Sequence, residues 1–267
     1  MIKPEFLIRF LQYRFSSLTK RDIDSPFVYE LVTKVIDVPP RLRTKVNCQP
    51  IEHLRNALLR DNTEINVRHL RTGSSSLRKI KDICRKVGKN KKCGQLLFRL
   101  VDHFQPGTIL DLGTCLGITT LYLSKANPSA KIISIEGCPE IAVVAKRNFE
   151  KLSASNIQQV TGNFDDELVP SIKKLVSAES QRTSLDFVFF DGNHYKEPTL
   201  RYFLHCLEYA NDNSVFVFDD IRWSPEMEET WKEIIEHPQV TATVDLFFMG
   251  IVFFRTELAK QNFVIRF

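Results

Sequence analysis

Ile109-Leu110-Asp111-Leu112-Gly113-Thr114-Cys115-Leu116-Gly117-Ile118-Thr119-Thr120 is the stretch on which the fold turns. An apolar strand ends in an acid, a glycine loop follows, and the loop runs into a helix. Glycine lets a ligand approach the backbone closely, and a helix N-terminus offers N–H groups without intrahelical partners. The glycine spacing is not G-x-G-x-x-G, and no Lys follows as it would in a phosphate loop. An acid beside the loop suits a cationic ligand better than a pyrophosphate. A plain strand-to-helix turn has the same look in isolation, so the surrounding segments decide.

Downstream, short apolar strands alternate with amphipathic helices. Thr108–Leu112, Lys131–Ile135, Ile157–Thr161, Leu185–Phe190 and Ser214–Asp219 read as strands. Helices are expected near 117–126, 139–152, 166–178, 196–209 and 225–236. Alternating β and α argues for an α/β fold, a doubly wound parallel sheet with helices on both faces. The run Phe187-Val188-Phe189-Phe190 fits a strand buried on both sides. Val240–Phe248 and Gly250–Arg255, joined near Met249-Gly250, read as a C-terminal antiparallel hairpin. The tail Asn262–Phe267 alternates apolar and polar residues. It fits an edge strand or a strand lodged in a partner subunit, which leaves a homodimer open.

Upstream the texture is helical. Residues 4–18 read as a helix, with Phe6, Leu7, Phe10, Leu11 and Phe15 at helical spacing. Asp24-Ser25-Pro26 starts a second helix with Val28, Leu31, Val32, Val35 and Ile36 inward, stopped by Pro39-Pro40. Residues 50–60, 77–87 and 94–104 read as further helices, and 61–76 as a polar loop ending in Thr72-Gly73-Ser74-Ser75-Ser76. The division expected is a mostly helical cap over 1–93 and a ligand-binding domain over 94–267.

Charge divides along the same line. Residues 1–107 carry a net +12 and residues 108–267 a net −7. The basic stretch 78–92 reads as a solvated helix face, with an anionic partner such as nucleic acid as the sharper alternative. No apolar run approaches the ~20 residues that a membrane span needs, and no signal peptide is evident. The six cysteines form no C-x-x-C pair, which fits a reducing, cytoplasmic setting.

Three further runs carry chemistry. In Ile133-Ser134-Ile135-Glu136-Gly137 an acid closes the second strand, where a carboxylate can accept both hydroxyls of a ribose. In Val160-Thr161-Gly162-Asn163-Phe164-Asp165 an adenine could lie against Phe164, although Phe164 could equally be core. Phe190-Asp191-Gly192-Asn193-His194-Tyr195 and Phe218-Asp219-Asp220-Ile221-Arg222-Trp223 both follow strands, at the ends where open α/β sheets bind ligands. Three converging carboxylates, Asp191, Asp219 and Asp220, would repel one another without a cation or proton between them. Their oxygen ligands suit Mg²⁺ or another hard divalent ion. Capping of the following helix is the plainer role for Asp219 and Asp220. Trp223 and Trp231, flanking Met227, read as packing residues.

Together, D-L-G-T-x-x-G, the E-G after the second strand and the terminal hairpin resemble the class I S-adenosylmethionine-dependent methyltransferases, with their Rossmann-like fold, over roughly 94–255. Within that superfamily the chain is most similar to the catechol-type small-molecule O-methyltransferases, in which a G-Q helix precedes the glycine loop, as Gly94-Gln95 does here. The resemblance implies Asp111, Gly113, Thr114, Gly117 and Thr119 around the methionine part of S-adenosyl-L-methionine. It implies Glu136 and Gly137 at the ribose, and Asn163, Phe164 and Asp165 around the adenine. Asp191 follows strand four and would serve cofactor, metal and catalysis, with Asp219 and Asp220 completing the metal site. Asp220 stands where that group has Asn. His194 stands where it has a Lys base, and is expected to take the proton of a small hydroxylated acceptor. Two alternatives stand beside this reading: an RNA-modifying methyltransferase, and a non-catalytic module that keeps the fold.

Overall fold

The computed structural model describes residues 4–68, 73–177 and 183–267. The chain divides into two compact units, one of Met1–Val38 with Ser184–Phe267, the other of Pro39–Thr183. The fold is mixed α/β with a mostly parallel sheet of Rossmann-like topology.

The first unit opens with α1 (Pro4–Ser16) and α2 (Pro26–Leu31), the latter continued by one π-helical turn over Val32–Ile36. Ser25 caps α2 by accepting from the Val28 N–H, and Pro26 takes the first turn, where its missing N–H costs nothing. Val28, Leu31, Val32, Val35 and Ile36 are all buried, as their spacing predicts. Only part of the apolar set of α1 faces inward. Phe6 and Phe10 lie edge-on to Phe247, and Tyr13 is buried, whereas Leu7, Leu11 and Phe15 are exposed. Both stripes repeat at three to four residues, so periodicity alone could not choose between them. The aromatic pair Phe247–Phe248 selects 6, 10 and 13.

In the second unit, α3 runs from Leu42 to Leu58, longer than expected. Its Pro50 and the preceding-turn Val46 are both exposed, so the Val46 carbonyl that proline leaves unbonded can meet water. The expected loop over 61–76 is instead partly a hairpin. β1 (Glu64–Arg68) pairs antiparallel with β2 (Ser75–Lys79), while residues 69–72, the middle of that loop, lie outside the described residues. Only Val67 is buried in β1, too weak an apolar alternation to read from sequence. α4 (Ile80–Val87) therefore begins three residues late. It buries Ile80, Ile83 and Cys84 and exposes Arg85 and Lys86, the solvated face expected for the basic stretch. α5 (Lys91–Phe104) starts where Asn90 accepts from the Cys93 N–H.

There follow β3 (Thr108–Leu112), α6 (Ile118–Ala126), β4 (Lys131–Glu136), α7 (Pro139–Lys151), β5 (Ile157–Thr161) and α8 (Phe164–Leu175). β3, β4 and β5 are parallel neighbours in that order. β3 is buried throughout, as a parallel strand covered on both faces should be. Gly94 on α5 lies so close to Tyr122 of α6 that a Cβ would collide with the ring.

The first unit resumes with β6 (Phe187–Phe190), α9 (Lys196–Leu207), β7 (Val215–Asp219), α10 (Pro225–Glu236), β8 (Ala242–Asp245), β9 (Met249–Phe253) and β10 (Gln261–Val264). β6 and β7 are parallel, β9 is antiparallel to both β7 and β8, and β10 lies parallel to β8 at the edge. The hairpin is thus as expected in sense but shorter in both arms, and the tail pairs as an edge strand of its own chain. Ser224 caps α10 through the Met227 N–H, with Pro225 after it. Trp231 and Met227 are buried, but Trp223 is 65% exposed and packs less than expected. No helix among the described residues is long and apolar enough to cross a membrane.

Candidate active site

The glycine turn of the second unit is fixed by the strand beside it. The N–H groups of Gly113 and Thr114 both donate to the Ile135 carbonyl, at 3.1 Å each. Three residues then take positive φ: Gly113 at 117°, Cys115 at 48° and Gly117 at 79°. At Gly117 a Cβ would also lie 2.5 Å from the Phe149 ring, so this glycine serves close packing of the turn against α7. Its expected cofactor role is not needed to explain it.

Asp111, the last residue but one of β3, is fully buried. Its Oδ2 accepts from the hydroxyls of Thr120 (2.6 Å) and Ser134 (2.7 Å). Ser134 has given its one proton to Asp111, so the Thr114 hydroxyl 2.5 Å away must donate to it. The Asp111 Oδ1 has no hydrogen-bond partner among the described residues. Burial pushes the Asp111 carboxyl up to about 6, against the pull of Thr120 and Ser134 and with a smaller push from Glu136. A buried acid that keeps one oxygen unpaired is suited to a cationic or N–H-bearing ligand.

Glu136 ends β4 and turns back to the glycine loop. Its Oε2 accepts from the Cys115 N–H at 2.7 Å and its Oε1 from the Cys138 N–H at 2.9 Å. Burial raises this carboxyl, while the backbone N–H groups of Cys138, Cys115 and Gly137 hold it down. Each oxygen keeps a lone pair, so a carboxylate held this way can still accept from a vicinal diol. After β5, Asn163 caps α8 with its side-chain oxygen 3.4 Å from the Asp165 N–H. Phe164 is half-buried and Asp165 exposed, so Phe164 is not simple core. Thr114 and Thr119 are buried along the same turn.

The first unit carries the acids. Phe190 and Phe218 pair in register on β6 and β7, and their rings stack at 4.2 Å. Side chains alternate along a strand, so the next residues, Asp191 and Asp219, leave the two strand ends side by side on the opposite face. One carboxylate oxygen of each and a ring nitrogen of His194 all lie within 4.8 Å of one another. His194 Nε2 is 3.7 Å from Asp191 Oδ1 and 4.0 Å from Asp220 Oδ2. Asp219 is buried, and the Asp191 side chain is only 9% exposed. Two carboxylates and an imidazole form a donor set that fits a divalent cation. Asp220 sits beside them with φ at 53°, its oxygen facing His194 rather than heading that donor set.

Some residues around Asp111 and around His194 escaped the sequence reading. Ser134 and Thr120 hold Asp111; the signal for Ser134 was a lone hydroxyl in the apolar strand Ile133-Ser134-Ile135. Asn193 takes φ of 67° and donates to the Tyr202 hydroxyl at 3.0 Å, fixing the turn that carries His194. Nothing in the local pattern announced that bond.

Residues 110–221 match the model of a family described as a methyltransferase domain. The matched residues run from β3 to just past β7, so the family's description is a likeness of that segment. Among its relatives is a catechol O-methyltransferase of Niastella koreensis, 26% identical over 129 residues, which are 48% of this chain and 55% of the relative. A catechol O-methyltransferase of Bos taurus is 28% identical over 115 residues, 43% of this chain and 39% of that one. The chain thus spans about half the length, or less, of these curated relatives. An O-methyltransferase from Bacillus cereus, solved in complex with SAH, superposes with a TM-score of 0.55 at 17% identity, covering 85% of this chain and 97% of that one. At that identity the likeness is one of fold.

Proposed function

We propose that this chain transfers the methyl group of S-adenosyl-L-methionine to a hydroxyl oxygen of a small acceptor, with a divalent cation at Asp191 and Asp219. The observation that carries the reading is Glu136, a carboxylate closing the second parallel strand and bonded back to the Cys115 N–H of the glycine turn. Such a group, held by backbone N–H donors, accepts the two ribose hydroxyls of a nucleoside without having to move. Asp111, with one buried oxygen unpaired, supports recognition of the cofactor's amino-acid end.

When bound, S-adenosyl-L-methionine would supply a methyl activated on a sulfonium, and its transfer to the acceptor oxygen would leave S-adenosylhomocysteine and one proton for a base of this chain to take. A bound divalent cation would supply Lewis acidity, lowering the pKa of a coordinated hydroxyl. Asp191 and Asp219 hold two carboxylate oxygens at adjacent strand ends for that purpose. Asp220, whose oxygen is 4.0 Å from His194 Nε2, is a carboxylate near enough to the donor set to receive the proton.

Calorimetry with S-adenosylhomocysteine tests the cofactor reading. Binding in the micromolar range is expected, and no heat at millimolar ligand would end the proposal. EDTA should abolish turnover of a catechol-like acceptor while leaving that heat in place.

A further inference from the structure

We propose that His194 is a ligand of the cation rather than the general base, so that the site prefers Mn²⁺ or a later transition ion over Mg²⁺. This rests on the divalent-cation reading above and goes beyond it by assigning the third donor.

The distances make the argument. His194 Nε2 lies 3.7 Å from Asp191 Oδ1. That exceeds the ~3.2 Å limit of a good N–H···O hydrogen bond. Two atoms that share an ion at roughly 2.0–2.2 Å stand between about 3 and 4.4 Å apart, depending on the angle at the metal. The imidazole and the Asp191 carboxylate therefore have a spacing that co-ligands take; Asp220 Oδ2, at 4.0 Å from the same nitrogen, is set apart because it is not in the group of donor atoms that all lie within 4.8 Å of one another. The Asp219 oxygen belongs to the same group, all three atoms lying within 4.8 Å of one another.

The turn keeps the ring where it is. His194 follows Asp191 by three residues, and between them Asn193 donates to the hydroxyl of Tyr202, itself 2% exposed. The His194 side chain is 29% exposed, leaving an open side from which an acceptor or water could complete the coordination.

Chemistry then sets the preference. Mg²⁺ is a hard ion that takes oxygen ligands and keeps its waters. Imidazole nitrogen suits the first-row transition ions, whose affinities rise from Mn²⁺ onward. A nitrogen that gives its lone pair to a metal has none to give to a proton, so Nε2 cannot also serve as base.

The test uses the full chain stripped with chelator and titrated with manganese chloride and, separately, magnesium chloride. Wild type should bind Mn²⁺ at least ~10-fold more tightly than Mg²⁺. Pulsed electron paramagnetic resonance should detect a directly bonded ¹⁴N on the Mn²⁺. His194→Ala should remove that nitrogen signal and weaken Mn²⁺ by ~10-fold or more, with Mg²⁺ affinity changing far less. His194→Gln, which returns a neutral side chain of similar reach, should restore neither. Bound Mn²⁺ without nitrogen coupling, or Mn²⁺ affinity unchanged in His194→Ala, overturns the assignment. Failure of wild type to bind either ion overturns it as well. S-adenosylhomocysteine binding, measured on the same samples, reports folding. Its presence alongside any of those failures sinks this inference alone, while its absence in wild type sinks the methyltransferase reading.

Discussion

Glu136 and Cys115 are joined by a 2.7 Å hydrogen bond from the backbone N–H of the glycine turn to the carboxylate Oε2. The other oxygen accepts from Cys138, so both halves of the carboxylate are held by donors. Gln at 136 would aim an NH₂ at one of those N–H groups, leaving two donors facing each other. Glu136→Gln is therefore expected to weaken S-adenosylhomocysteine about 10- to 100-fold, since a charge-assisted bond lost is worth ~1.5–3 kcal/mol. Calorimetry of the variant checks this, and unchanged affinity would remove Glu136 from the ribose.

Gly117 is expected to tolerate no side chain. It has φ of 79°, and a Cβ there would sit 2.5 Å from the Phe149 ring. Gly117→Ala should cost about 2–4 kcal/mol, combining left-handed backbone strain with overpacking. Urea unfolding measures the total. Phe149→Leu in the same chain should recover the packing part and leave the strain, and a Gly117→Ala chain as stable as wild type would contradict the close contact.

The strands were legible where burial on both faces writes an unbroken apolar run, as in Phe187–Phe190 and Val215–Phe218. The glycine turn was legible because few residues can take its dihedral angles. The β1–β2 hairpin was not, because its stability comes from backbone pairing and one buried side chain, Val67. The stripe of α1 that faces inward was not, because Phe247 and Phe248, more than 200 positions away, choose it. In the candidate site, the acids could be read one by one, since each ends a strand. The spacing of His194 from Asp191 depends on Asn193 and Tyr202 and had to be seen in three dimensions.

Asp111 should give the protein an inverted pH dependence over part of the acid range. Burial raises its folded pKa to about 6, above the ordinary aspartate value of 3.8 that holds in the unfolded chain. Between those two values the native state holds the proton and the unfolded state does not, so stability falls as pH rises from about 4 to 6. The difference between those two values corresponds to roughly 2–3 kcal/mol at most. Glu136, also raised by burial, adds to the same trend. Asp111→Asn can still accept from Thr120 and Ser134 but cannot ionise. Its stability relative to wild type should therefore climb across that window, measured by urea unfolding at pH 4, 5, 6 and 7. A difference that stayed constant with pH would show that Asp111 titrates normally.

Tyr13 links the first helix to the end of the chain, and its hydroxyl is the link. It donates to the Ile265 carbonyl at 2.5 Å and accepts from the Phe267 N–H at 2.9 Å. Arg266 adds a bond from its side chain to the Arg14 carbonyl at 2.7 Å, and the backbone N–H of Leu18 donates to the Val264 carbonyl at 2.8 Å. Tyr13→Phe keeps the ring against Phe10 and Phe247 but strands a carbonyl and an N–H together. Removing one group from a buried pair costs ~1–3 kcal/mol, because the partner's desolvation is no longer compensated. The loss should fall on the last strand first. Native-state hydrogen exchange is expected to show amides of Gln261–Val264 exchanging faster in Tyr13→Phe, by ~5-fold or more for each kcal/mol lost. Those of β7, which pairs on both sides within the sheet, should be slowed or quickened far less. Uniform acceleration across both strands would mean that the hydroxyl supports global stability rather than anchoring the tail.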